Sequence, residues 1–456
     1  MKPRKKLVTP LVLSLIFLCG LMAGLSTLAS DPQVAYTPDS AEYLTAARDI
    51  LYHGPGILFN PPSHPELITS VLWFIRPPVY PAILAMIRRL PILSIELWNF
   101  VALWAMTLLA VLGSHMFLKG RAGGAWVPVI VLPIVCLPWA MSIMSDNVFL
   151  LANVLFIIAF LWFLEKPGWV RMLLVIILGV LSAFTKPVGA FGCILVVLAG
   201  LLDRRARWFS LGITGILVTL MALWSFRNQA LYGRFLFSGV TDFNMAFFNY
   251  PALLARETRA DEWTLRDSLI RDFGQEVSRA GIAGDDRAKS ALLAERAKDA
   301  TGYILARPLG YALCHLSYLP RIFGTFRAPG LGGNRPRPPS KPGPGSIGRL
   351  PEPGGQPPGR GGLGPEGSES LSVWGIMNVG ARVACFLLAI LGVGFWWRRD
   401  KSQAISLAIG TLWFMLSIGP AGDDRTSLPA VLFACILAQG GWLFAKENLA
   451  RIVARN

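Results

Sequence analysis

Long apolar runs separated by short polar breaks dominate this chain. Windows of membrane-spanning length, roughly 17–25 residues each, fall at about 7–29, 95–118, 126–143, 147–164, 171–185, 187–202, 208–226, 373–397, 403–419 and 427–445. They predict an all-α polytopic membrane protein with about ten transmembrane helices. The runs at 171–185 and 187–202 are short and meet at Lys186-Pro187, so the count drops by two if that pair does not cross. The run at 7–29 exceeds the roughly 7–15 apolar residues of a secretory signal, and it reads as an uncleaved first span.

Between the spans lie two longer segments. In the outer segment 30–94, Ser40–Tyr52 reads as a helix with Leu44, Ala47 and Leu51 on one side. Pro77–Leu90 is apolar but too short to span, which predicts an interfacial helix on the outer leaflet. In the second region, 227–327 reads as a loop with solvated helices at 257–301 and an interfacial helix at Tyr303–Phe323. Gly and Pro then dominate 328–370, a composition that builds no core and predicts a disordered tether. The expected organisation is thus a first span (1–29), an outer loop (30–94), spans two to seven (95–226), the second outer loop, the tether, the last three spans (371–445) and a cytoplasmic tail (446–456).

Composition agrees with the pattern. Of 456 residues, 54% are hydrophobic and only 15% charged, whereas soluble domains run near a quarter charged. The net charge of +16 invites a nucleic-acid reading. Its placement argues for topology instead. Lys2/Arg4/Lys5/Lys6, Lys119/Arg121, Lys166/Arg171, Arg204/Arg205/Arg207, Arg398/Arg399/Lys401 and Lys446/Arg451/Arg455 occupy alternate breaks, as the positive-inside rule requires of cytoplasmic loops. The remaining breaks carry Asp39, Asp146, Lys186, Arg227 and Asp423-Asp424-Arg425, which places acids and bases together on the outer face. The six cysteines are isolated and form no CxxC, and the four histidines are scattered, so neither a disulfide framework nor a metal centre is indicated. No phosphate-binding loop is present for cytosolic nucleotide chemistry.

Several outer residues suit chemistry on an anionic substrate. Asp39 and Glu42 share a helix face, where a carboxylate would take a proton from an acceptor hydroxyl; the same spacing is a capping box, and the two roles coexist. Arg76, held by Pro77 and Pro78, suits a phosphate in fork geometry, or snorkels as an ordinary interfacial arginine. Asp146 reads as a helix cap. Lys186 sits awkwardly between two tight spans, and Arg227-Asn228 closes span seven. Asp39, Glu42 and Asp146 together would suit a divalent cation, although no cofactor is required by the pattern.

The ordered series Pro38-Asp39-Ser40-Ala41-Glu42-Tyr43, Arg76-Pro77-Pro78-Val79-Tyr80-Pro81, Ser145-Asp146, Thr185-Lys186-Pro187-Val188-Gly189, Trp224-Ser225-Phe226-Arg227-Asn228 with Tyr232-Gly233-Arg234-Phe235, and Arg425 with Pro429 resembles clan C (GT-C) membrane glycosyltransferases. It is most similar to bacterial dolichyl-phosphate-mannose–protein mannosyltransferase-like and lipid A aminoarabinose transferase-like proteins. The resemblance spans most of the membrane region through short, degenerate motifs. It implies an inverting transfer of a sugar from a polyprenyl-phosphate-linked donor to a lipid, glycan or protein acceptor, outside a bacterial inner membrane. Asp39 would be the base, Glu42 and Asp146 second acids, and Arg76, Lys186, Arg227 and Arg425 the cations for the donor phosphate. In the protein mannosyltransferases the acidic pair is adjacent; here Asp39 and Glu42 are separated. The alternatives are a transporter or flippase of lipid-linked sugars, or an inactive relative acting as an assembly partner.

Overall fold

The computed structural model describes residues 38–62, 64, 76–90, 95–117, 126–140, 142–323, 373–420 and 427–453. The first span at 7–29, the tether at 328–370 and the Asp423-Asp424-Arg425 cluster lie outside the described residues. Every regular element among those described is helical.

In chain order these are α1 (Pro38–His53), α2 (Val79–Arg88), α3 (Ile95–Phe117), α4 (Trp126–Ala140), α5 (Asp146–Glu165), α6 (Trp169–Ala183), α7 (Pro187–Leu198) and α8 (Arg207–Tyr232). A second group follows: α9 (Val240–Asn244), α10 (Tyr250–Thr258), α11 (Glu262–Arg279), α12 (Asp286–Leu305) and α13 (Pro308–Ser317). The last three are α14 (Val373–Arg399), α15 (Lys401–Leu416) and α16 (Leu428–Val453).

Helices α3 to α8 and α14 to α16 share one apolar core, with α5 and α16 at its centre. Among the described residues, four helices, α5, α8, α14 and α16, are long and apolar enough to cross a membrane. Burial separates them. α5 and α16 are enclosed by protein, whereas α8 and α14 leave most of their apolar residues open, including Trp208, Leu223, Phe226, Leu387 and Ile390. An exposed stripe of that kind is stable only against lipid, so the chain is a helical membrane protein. α14 and α16 approach closely because Gly392 and Gly441 face each other's backbone; small residues at a helix crossing allow such contact.

The charges divide between the two ends of this bundle. Arg399 of α14 reaches Glu165 of α5, and Arg171 stacks on Trp162, so these described basic residues gather at one end. At the other end, Asn99 donates to the Ser142 carbonyl, Trp413 to the Val188 carbonyl, and Val79 N–H to the Phe184 carbonyl.

The two longer segments expected on the outer face are better organised than the sequence suggests. α1 extends over the expected helix and buries Ala47, with Leu44 and Leu51 packed beside it. α2 does not simply rest on a leaflet: Tyr80, Leu84 and Ala85 are buried with α1's Tyr43 and Ala47. The region expected as solvated helices forms a core of its own, where Phe247, Phe273, Val277 and Leu293 pack against Ala46 and Ile57 of the first outer segment. The single helix expected at Tyr303–Phe323 is instead broken. α12 ends at Leu305 and α13 starts at Pro308, because proline has no N–H to donate and clashes with the preceding turn.

Candidate functional site

The site begins with the first turn of α1. Pro38 opens the helix, where a missing N–H costs nothing, and Asp39 follows in the first turn. Two side chains of α1 fix that turn on the loop before α5. Ser40 Oγ donates to the Ile143 carbonyl at 2.9 Å, and the Tyr43 hydroxyl meets Ser145 Oγ at 3.1 Å. Tyr43 also packs edge-on against Tyr80 of α2, with centroids 4.8 Å apart.

Arg76 closes this unit from above. Its Nη2 donates to Asp39 Oδ1 at 2.8 Å and its Nε to Glu42 Oε2 at 3.1 Å. The guanidinium also lies 5.3 Å from the Tyr43 ring centroid. Burial works against the charge on Arg76, yet the fields of Tyr43, Asp39 and Glu42 hold its pKa well above the ordinary value. One arginine therefore serves both candidate acids, in the fork geometry that a guanidinium favours.

The second pair lies next to the first. Asp146 is the first residue of α5 and only 3% exposed. It is not the cap expected of it, since Ser145 holds that position and the Asp146 carboxylate turns to Lys186 Nζ at 2.5 Å. The carboxylate still suits the positive end of the helix. Its other oxygen, Oδ2, is buried without a hydrogen-bond partner among the described residues. Lys186 is presented by a tight turn between α6 and α7: Pro187 starts α7, and Gly189 is needed because a Cβ there would sit 2.6 Å from both Phe149 and Ser182 Oγ.

Arg227 is placed differently. α8 runs past it to Tyr232, so it lies inside the helix rather than at its end. Its Nε donates to the Leu58 carbonyl at 2.7 Å and its Nη1 to Asn228 Oδ1 at 2.7 Å, with Trp224 under the guanidinium. Asn228 in turn donates to the Leu236 and Phe237 carbonyls. The Arg-Asn pair thus ties both outer segments to α8. Trp224 contacts Phe184, two residues from Lys186, which keeps this knot beside the acids. Arg425 lies outside the described residues.

Asp39, Glu42, Arg76, Asp146 and Lys186 therefore come together at one end of the bundle, from four separate stretches of chain. Two further polar groups were not singled out in the sequence. Asp49 and His64 meet at 2.6 Å in a buried pair, and only Asp49's position ten residues beyond Asp39 on the same helix hinted at it. Arg266 of α11 lies 3.7 Å from the Phe248 ring centroid and 5.0 Å from that of Trp263; the i, i+3 spacing of Trp263 and Arg266 was the available signal. Among the described residues no three His, Cys, Asp or Glu side chains converge to hold a metal ion.

Fold and site define the class: an all-helical membrane protein with an acid–cation cluster at one end of its apolar helices. No protein-family model and no curated protein matches the chain.

Proposed function

We propose that the protein is an inverting glycosyltransferase that takes a sugar from a polyprenyl-phosphate-linked donor. The observation that carries this reading is the Asp39–Arg76–Glu42 clamp lying beside the buried Asp146–Lys186 pair. In this reading the chain crosses a bacterial inner membrane about ten times and holds its site on the extracytoplasmic side. The basic breaks at the opposite end of the bundle support that orientation.

The chemistry needs one base and cations for a growing negative charge. Asp39 takes the proton of an acceptor hydroxyl, and the oxygen attacks the anomeric carbon from the face opposite the phosphate. The bond from that carbon to the phosphate oxygen breaks, and its electron pair leaves on polyprenyl phosphate. The configuration inverts in this single displacement. Arg76 and Lys186 stabilise the departing charge. An incoming phosphate competes with Asp39 for Arg76, which loosens the clamp and frees the carboxylate to take the proton when the donor is bound. Asp146 holds Lys186 in place.

The test uses purified protein in nanodiscs with a panel of polyprenyl-phosphate sugars and an envelope extract as acceptor. Wild type should release free polyprenyl phosphate together with sugar transfer, and Asp39→Asn should lose at least 100-fold of that rate, the lower end of what a general base contributes. Full activity in Asp39→Asn would remove Asp39 as the base. Movement of intact donor across vesicles without bond cleavage would replace the transferase by a carrier.

A further inference from the structure

The helix α13 carries its polarity the wrong way round for a surface in water. Tyr311 and Cys314, with Tyr318 just past its end, turn inward against Leu253 of α10 and Ile304 of α12. Their hydroxyls are satisfied there: Tyr311 donates to Asn249 Oδ1 at 3.0 Å and Tyr318 to Glu262 Oε2 at 2.5 Å. Leu309, Leu313 and Leu316 point the other way and are 72%, 47% and 50% exposed. At about 100° per residue these three fall within about 60° of one another, so they form one leucine stripe rather than scattered surface residues. α13 itself contains no Asp, Glu, Lys or Arg. Arg307 before it pairs with Glu257, and Arg256 donates to the Leu313 carbonyl.

Two attachments fix the level of this stripe along the bundle. α15 starts at Lys401, beside the basic end, and has 16 residues. That is about 24 Å of helix against a hydrocarbon core of roughly 30 Å. It stops short of the far surface, where its last carbonyls would face lipid without partners. α13 lies at that end: His315 Nε2 donates to the Leu416 carbonyl at 2.9 Å, and a Cβ on Gly419 would overlap the His315 ring. The short turn Leu319–Phe323 after α13 then packs on the middle of α14, with Phe323 edge-on to Phe386 and Arg382 Nη1 donating to the Ile322 carbonyl. At that depth α14 presents Val383 and Leu387 on its exposed apolar face. The leucine stripe thus belongs to the same level as a face already assigned to lipid.

We propose that α13 is sunk into the leaflet opposite the basic residues, with Leu309, Leu313 and Leu316 among phospholipid acyl chains and His315 capping the short helix α15. The partner is lipid hydrocarbon, which sets α13 apart from a helix resting at headgroup level. The inference is independent of the transferase reading. It reaches the site through α15, whose Trp413 donates to the Val188 carbonyl next to the Lys186-Pro187 joint. The end of α15 is therefore held by α13 on one side and holds the start of α7 on the other.

The experiment uses the wild-type full chain in phosphatidylcholine nanodiscs, so no substitution can disturb the fold. Two photoreactive diazirines are compared, one placed mid-chain on a phospholipid acyl tail and one on a small water-soluble carrier. Adducts are mapped by peptide mass spectrometry. The acyl probe should label Leu309, Leu313 and Leu316 to about the same extent as Leu387 and Ile390 of α14, and about tenfold or more above the exposed Trp263 of α11; the aqueous probe should give the reverse order. Labelling of α13 by the aqueous probe at the level of Trp263 would put the stripe in water and overturn the proposal. Protection from both probes would overturn it as well, since a second copy or another segment of this chain then covers the leucines. For the cap, His315→Leu should lower the midpoint of SDS unfolding in mixed micelles, and His315→Gln, whose amide still donates, should recover at least half of that loss. An unchanged midpoint in His315→Leu, or equal losses in both variants, would refute the capping role.

Discussion

Removing Lys186 should damage the fold more than removing its partner. The Asp146 carboxylate is 4% exposed and the Lys186 side chain 20% exposed, with 2.5 Å between Nζ and Oδ1. In Lys186→Met the carboxylate stays in its enclosed position with neither oxygen paired, since Oδ2 already meets no acceptor or donor among the described residues. Leaving one member of a buried pair uncompensated costs about 3–5 kcal/mol. Asp146→Asn has a milder consequence, because Lys186 retains some contact with solvent and the amide oxygen still accepts; about 1–2 kcal/mol is expected for the weakened charge-assisted bond. The double variant Asp146→Asn/Lys186→Met carries no buried charge and should recover most of the Lys186→Met loss. Unfolding by SDS titration in mixed micelles reads these differences directly. If Asp146→Asn proved the costlier single variant, or if Lys186→Met matched wild type, the pair would be solvated and the enclosed geometry argued above would be wrong.

Two further outcomes follow from packing and charge. A Cβ at Gly441 would overlap the Leu388 carbonyl and one at Gly392 the Leu437 carbonyl, so Gly441→Ala and Gly392→Ala should each cost about 3 kcal/mol or more in the same titration, whereas Gly394→Ala, with nothing near its Cβ, should stay within about 1 kcal/mol of wild type. Burial raises the Asp242 carboxyl above its ordinary 3.8 despite the opposing Arg234; a raised carboxyl stabilises the fold most below the pKa of the unfolded chain, and the contribution fades as pH rises through the folded value. Limited proteolysis of α9 to α13 should accordingly show Asp242→Asn, which mimics the protonated side chain, keeping the acid-side protection of wild type and losing less of it as pH rises, and identical pH profiles would contradict that sign.

The helices were legible in the sequence to different degrees, for physical reasons. The apolar windows located α3 to α8 and α14 to α16 because lipid and core impose the same demand on consecutive residues. Crossing is a stricter matter: α6 and α7 are apolar but short, and their joint at Lys186-Pro187 is set by Gly189 packing that no hydropathy window registers. The outer body was read as solvated because charge hides its seam. Phe273 and Val277 are apolar positions on a helix otherwise rich in Asp, Glu and Arg, and they are buried with Phe247 and Leu293 in a cluster that also holds Ala46 and Ile50 of α1. Tyr303–Phe323 looked continuous because its apolar spacing persists across Pro308, where the backbone cannot.

The site separated into what side-of-membrane reasoning reaches and what it does not. Alternating charge put Asp39, Arg76, Asp146 and Lys186 at one boundary, which narrowed their neighbours from the whole chain to one plane. It did not pair them. That Asp146 answers Lys186 rather than its own helix end depends on Tyr43 and Ser40 fixing α1 over residues 143–145 and on Val79 joining α2 to the end of α6. Arg227 shows the opposite case: the sequence gives it the same standing as Arg76, but its carbonyl partner Leu58 is 169 positions away. A cation's role in such a site is decided by which acceptors already surround it, and that is a property of packing that spacing along one chain does not carry.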